Sequence, residues 1–112
     1  MTTREKLAEA VLAVTGLSRE AQEIIAQELL ALNQTGPDEI HRAALAANAL
    51  ARLYANVVSE LLAHAKTAPA DVVAIGAHGQ TVRHRPREFD GIGYTIQLNN
   101  PALLAELAGI DV

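Results

Sequence analysis

From Pro37 to Ala65 the chain repeats apolar residues at helical spacing without a break, and any fold it adopts must bury that stripe. Ile40, Ala43, Ala44, Ala47, Leu50, Tyr54, Val57, Val58, Leu61 and Leu62 recur over many turns. This predicts one long amphipathic helix. Pro37 is tolerated in a first turn, and Asp38 and Glu39 suit the positive end of the helix dipole. The many alanines let a second helix or a sheet approach closely. His41, Arg42, Asn48, Arg52, Asn56 and Glu60 fall on the other side and read as a solvated face. The stripe is too wide, and its flanks too poor in alternating charge, for a coiled coil.

Shorter helices flank it. Thr2-x-x-Glu5 reads as a capping box opening a helix to about Val14, with Leu7, Val11 and Val14 on one face and Gly16 as the stop. Ser18 caps a second helix to about Leu32, with Ala21, Ile24, Ile25, Leu29 and Leu32 inward. Asn33-Gln34-Thr35-Gly36 breaks it. Near the far end, Asn100 caps and Pro101 opens a last helix that Gly109 ends, with Leu103, Leu104 and Leu107 inward.

Between the helices the periodicity changes. Val72-Val73-Ala74-Ile75-Gly76 is continuously apolar, as expected of a strand covered on both faces. Gln80–His84 and Gly93–Leu98 read as an antiparallel hairpin with a long polar loop holding Pro86, Asp90 and Gly91. Ile110-Asp111-Val112 resembles the start of a further strand, which suggests a piece of something larger. The 112 residues suffice for one domain with a real core.

Composition narrows function. The net charge is −4 and aromatics make up 3% of the residues. A nucleic-acid binder needs a positive field and stacking rings, so neither fits. Without cysteine, thiol catalysis and cysteine zinc sites are excluded. The charged start is not a secretory signal, and no apolar run is long enough to span a membrane.

Polar chemistry gathers where the apolar strand ends, at His78-Gly79-Gln80-Thr81, with Arg83, His84, Arg85 and Arg87 following. His78 suits either acid–base work or a turn-holding backbone bond. Gln80, Thr81 and Asn100 carry groups suited to sugar hydroxyls, and are equally ordinary turn and cap residues. Arg83 could grip a carboxylate bidentately. Arg85 and Arg87 read as a solvated tip. His78 and His84 lack a carboxylate partner, so no metal site is expected. Gly76-x-x-Gly79 is no phosphate loop, and no GxGxxG or GxxxxGK[ST] pattern occurs.

Ala74-Ile75-Gly76-Ala77-His78-Gly79-Gln80-Thr81-Val82-Arg83-His84-Arg85-Pro86, then Tyr94-Thr95-Ile96-Gln97-Leu98 and Asn100-Pro101-Ala102-Leu103-Leu104-Ala105-Glu106, resembles the anhydro-N-acetylmuramic acid kinase family. Gly36-Pro37-Asp38-Glu39-Ile40 and its helix fit too, so the resemblance runs from about Leu29 to Val112. The HGQTVRH segment is its most specific part, and residues before about 28 match less clearly. The resemblance implies a sugar kinase of the actin-like, ribonuclease H-like superfamily. Its reaction takes 1,6-anhydro-N-acetylmuramic acid, ATP and water to N-acetylmuramic acid 6-phosphate and ADP. Water attacks the anomeric carbon, the anhydro bridge opens, and the freed O6 takes the phosphoryl group. The implied setting is bacterial cell-wall recycling in the cytoplasm, with magnesium and a homo-oligomer.

The family opens with a GTSxDG hairpin that holds ATP phosphates, and this chain has none. The family's catalytic aspartate and second nucleotide loop lie past Val112, and its usual Gly-Asp before the proline is Asn99-Asn100 here. The expectation is therefore a single partial domain over residues 1–112. It has a helical part (1–67) and a strand–hairpin–helix part (68–112), and is α/β with a small mixed sheet. It binds neither ATP nor magnesium alone and has no kinase activity, no catalytic residue and no metal ligand. His78, Gly79, Gln80, Thr81, Arg83 and His84 are the candidate sugar contacts. Arg83 or His84 would meet the lactyl carboxylate. The partners are the amino sugar and the remainder of the kinase, with no nucleic acid and no membrane. The competing reading is a helical interaction module whose alanine-rich helix docks a partner.

Overall fold

The computed structural model describes residues 19–112. The expected first helix, its stop at Gly16 and the cap at Ser18 lie outside the described residues. Those described form an α/β arrangement: α1 (Arg19–Ala31), α2 (Glu39–Ala65), β1 (Gln80–Pro86), β2 (Gly93–Leu98) and α3 (Pro101–Ala108), with a 3-10 turn at Pro69–Asp71. The strands make a two-stranded antiparallel sheet. No described helix is long and apolar enough to cross a membrane.

The helix α2 is closed at both ends by backbone turned into the left-handed region. Asp38 precedes it at φ 50° and makes no side-chain cap bond. Instead the Arg42 guanidinium donates to the Pro37 carbonyl at 3.0 Å. At the other end Lys66 adopts φ 55° and Thr67 donates its N–H to the Leu62 carbonyl at 3.0 Å. That pattern ends a helix by satisfying its last carbonyls, usually with glycine where Lys66 stands.

The core forms where α1, the first half of α2 and the hairpin converge. Leu32, Ala46, Ala47, Val82 and Leu98 are buried together, with Leu29 and Ala43 packed against them. The alanines admit the hairpin close to α2, as their small volume requires. Farther along, α3 packs against α2, burying Leu104 completely and Ile110 nearly so. Asn100 caps α3 by accepting from the Leu103 N–H at 3.1 Å, and Gly109 ends it at φ 68°.

Three expectations need correction. The run 72–76 is not a strand covered on both faces. Val73 is 92% exposed, and Ile75 donates a single backbone hydrogen bond, 2.8 Å long, to Asp111. An apolar strand needs neighbours along both edges, and the described residues offer only 110–112 on one. The sheet is accordingly antiparallel rather than mixed. Second, Ile24, Ile40, Leu61 and Leu107 lie exposed rather than inward. An eight-residue α3 extends about 12 Å against about 40 Å for α2, too short to cover its full length. Third, Arg42 and Asn48 are not solvated. Both are half-buried, Arg42 gripping Glu28 through Nε at 2.7 Å and Nη2 at 3.2 Å, and Asn48 accepting from Asn100 at 2.9 Å.

The Arg42 hydrogen bond holds the Glu28 carboxyl below its ordinary pKa. A depressed carboxylate pKa contributes stability above the unfolded value, which is lost as pH falls through the folded one. Acid unfolding monitored by circular dichroism should therefore show stability falling as pH drops through the ordinary carboxylate range, about 4, and below. Glu28→Gln should flatten that limb. Leu104→Ala should cost about 2–5 kcal/mol in urea unfolding, by loss of buried contacts and a residual cavity. Leu107→Ala, at a half-exposed site, should cost well under 1 kcal/mol.

Candidate functional site

The hairpin register places the polar segment. Gln80 pairs with Leu98 and Thr81 with Gln97, after which Arg83 pairs with Ile96, leaving Val82 as the extra residue of a bulge. A bulge breaks strict side-chain alternation. Val82 and Arg83 both turn toward the helices. Val82 enters the core. Arg83 donates from Nε to the Leu32 carbonyl at 3.1 Å and from Nη2 to the Glu39 carboxylate. The arginine thus straps the hairpin to the end of α1 and the start of α2.

The other candidates lie along the outer side of the strand and at its entrance. His78, Gln80, Thr81 and His84 are exposed, while Gly79 is buried. The His84 Nδ1 lies 2.8 Å from the Thr95 hydroxyl oxygen, across the sheet. Gly79 has φ 75°, and a Cβ there would lie 2.0 Å from the Leu98 carbonyl oxygen. The backbone at this point is packed directly on β2, in a conformation that side chains other than glycine's adopt poorly.

Two side-chain amides hold the approach to Gly79. Gln97 donates from Nε2 to the His78 carbonyl and Asn99 from Nδ2 to the Ala77 carbonyl, each at 2.9 Å. Asn99 also accepts from the Asn100 N–H at 2.9 Å. Asn100 in turn donates to Asn48 on α2. Neither Gln97 nor Asn99 was among the candidate contacts, although Gln97 lies in a family-like segment and Asn99 at a departure from the family pattern; an amide near a turn does not by itself mark a backbone partner.

His78 stands at the edge of an open cleft of about 260 Å³, lined also by Tyr54 and Val57 of α2, Ile75, Ala77 and Leu104. Its apolar floor and few polar groups have the character of a small-molecule site, and its volume falls just below the usual range of about 300–1,000 Å³. The structure thus brings His78 to the cleft, sets Gly79, Gln80 and Thr81 after it where the chain leads into β1, and turns Arg83 away. Among the described residues, no group of three or more His, Cys, Asp or Glu could hold a metal ion.

At the hairpin tip, Asp90 accepts from the N–H groups of Ile92 and Gly93 at 2.9 and 2.8 Å, which holds its carboxyl below the ordinary range. Arg85 lies 3.7 Å from Glu88, and Phe89 stacks on Tyr94 with ring centres 5.9 Å apart. These contacts stabilise the tip.

A family model described as anhydro-N-acetylmuramic acid kinase matches residues 5–112. It reaches well before Leu29, so the sequence similarity extends farther toward the start than the motifs alone had marked. Curated relatives named anhydro-N-acetylmuramic acid kinase include that of Variovorax paradoxus, 69% identical over 85 residues, which are 76% of this chain and 23% of the relative. That of Albidiferax ferrireducens is 67% identical over 88 residues, 79% of this chain and 23% of the relative. That of Bordetella petrii is 60% identical over 102 residues, 91% of this chain and 25% of the relative. The similarity is to carbohydrate kinases. The chain belongs to the anhydro-N-acetylmuramic acid kinase family, and spans about a quarter of the length of these relatives.

Gly79→Ala should destabilise the chain by about 1–3 kcal/mol, since it combines a disfavoured φ with a collision against β2. Chemical denaturation followed by circular dichroism checks this. The amide resonances of Leu98 and Asn99 should move with it.

Proposed function

We propose that this chain supplies part of the sugar-binding wall of an ATP-dependent kinase. The whole enzyme hydrolyses and phosphorylates 1,6-anhydro-N-acetylmuramic acid to N-acetylmuramic acid 6-phosphate during cell-wall recycling in the cytoplasm. The observation that carries this reading is the family match over residues 5–112. The geometry supports it. The segment most specific to the family ends an apolar run and opens on a cleft lined by His78.

Each candidate takes a role from its chemistry. The exposed Gln80 and Thr81 offer an amide and a hydroxyl to sugar hydroxyl or acetamido groups. Gly79 brings backbone close to the ligand. His84 is the better partner for the lactyl carboxylate, because the Arg83 guanidinium is engaged by Glu39 and Leu32. Arg83 then acts chiefly by holding the strand that carries the others. In the actin-like architecture of such kinases, residues 1–112 form one partial domain. Its partners are the amino sugar, the remainder of the kinase and a second copy of the enzyme.

The described residues do not fit a magnesium–ATP site. They cluster no acidic or imidazole donors for the metal, and the sequence has no glycine- and hydroxyl-rich phosphate hairpin. Phosphoryl transfer depends on such positioning groups, so the chain by itself is inactive as a kinase.

A two-dimensional amide NMR titration with 1,6-anhydro-N-acetylmuramic acid, repeated with magnesium–ATP, tests the reading. Saturable shifts should cluster at His78–His84 with the sugar and be absent with the nucleotide. A well-dispersed spectrum that the sugar leaves unmoved would remove the claim of a half-site in this chain. Saturable binding of magnesium–ATP would overturn the assignment to the sugar side.

A further inference from the structure

The hairpin ladder ends at Gln80 and Leu98. Beyond it, β2 has no backbone to offer the incoming chain, because Asn100 and Pro101 turn into α3. The segment 77–79 is nonetheless fixed. Gln97 is opposite Thr81 in the register, yet its side chain reaches back to the His78 carbonyl. Asn99, one residue past the strand, reaches the Ala77 carbonyl. Two side-chain N–H donors thus replace the main-chain donors that a longer strand would have supplied.

Their placement has a consequence for His78. Successive carbonyls, of Ala77 and His78, are tied to the β2 side, and Gly79 is pinned by its contact with Leu98. A peptide held at both carbonyls has little freedom to rotate, so the backbone sets the direction in which the His78 side chain leaves it, at the cleft that the residue lines. Asn99 is half-buried and joined through Asn100 to Asn48, so the restraint is anchored on α2 rather than on the mobile end of a side chain.

We propose that Gln97 and Asn99 are positioning residues for the sugar site, clamping the 77–79 backbone so that His78 is presented to the ligand. This rests on the sugar-site reading above. The amides act through the main chain of the segment.

The test uses the isosteric changes Gln97→Glu and Asn99→Asp in the 112-residue chain. Each removes the N–H donor and sets a carboxylate against a carbonyl, while Asn99→Asp retains the oxygen that accepts from Asn100. Asn33→Asp is the matched control, since Asn33 makes a similar 3.1 Å bond to the Leu29 carbonyl far from the cleft. Backbone and histidine-ring NMR spectra of the free proteins should show the amides of 77–80 and the His78 ring shifted or broadened in both site variants and unchanged in the control. Affinity for 1,6-anhydro-N-acetylmuramic acid should fall roughly fivefold or more in each, as expected for loss of one positioning hydrogen bond. The thermal midpoint of Gln97→Glu should stay near that of the parent.

Unmoved 77–80 resonances in both variants would overturn the clamp. So would shifted resonances with undiminished affinity for the sugar. If the parent itself binds no sugar, the sugar-site reading fails on its own account. The free-state spectra then decide whether the two amides fix His78.

Discussion

The bulge at Val82 is the constraint on which the rest of the arrangement hangs. A regular strand would send Val82 and Arg83 to opposite faces, one into the helices and one into water. The extra residue lets both face the helices. Val82 contributes apolar burial worth about 1.5–3 kcal/mol for a fully buried side chain. Arg83 adds bonds to the end of one helix and the beginning of the next. A partly exposed ion pair alone stabilises little. Combined with a carbonyl bond and a buried neighbour, it fixes the orientation of the hairpin on the helices. The placement of His78–Thr81 follows, because those residues lead directly into the bulged strand.

Much of this was legible in the sequence. The long helix to Ala65, expected from Pro37 and found from Glu39, the hairpin at Gln80 and Gly93, and the Asn100–Pro101–Gly109 bracket all came from local chemistry. The failures share a different cause. The run 72–76 has the composition of a covered strand, but composition states a need for neighbours and does not supply them. Arg42 and Asn48 sit at polar positions of α2 that meet partners distant in sequence, Glu28 and Asn100. Nothing in a helical repeat marks which polar residue will find a partner 14 or 52 positions away. The bulge was equally hidden, since Val82-Arg83-His84 alternates as well as any regular strand. The family resemblance identified the segment while leaving the direction of each side chain open.

Several apolar side chains lie uncovered on the faces left over: Ile40 at the start of α2, Val73 in the extended run, Phe89 and Ile92 at the hairpin tip. The chain accounts for about a quarter of the length of its relatives. The two facts are consistent with each other, as surfaces that match a larger protein would have their partners elsewhere in it. The edge at 72–76 is the most specific of these surfaces, because Ile75 is bonded to Asp111 on one side alone and Val73 lies exposed.

The electrostatics of the segment also change once the side chains are placed. Counted along the sequence, Arg83, His84, Arg85 and Arg87 promise a strong positive patch in a protein of net charge −4. In space, Arg83 is neutralised by Glu39 and Arg85 lies near Glu88. Exposed charges are further screened over about 10 Å at ordinary salt. The field available to draw in an anion is therefore weaker than the residue count implies. Recognition in the proposed half-site then depends on short-range donors and acceptors, the amide of Gln80, the hydroxyl of Thr81 and the imidazoles of His78 and His84. Such contacts are effective only when their directions are fixed beforehand. That requirement is what the bulge, the tightly packed Gly79 backbone and the side-chain amides of Gln97 and Asn99 meet together.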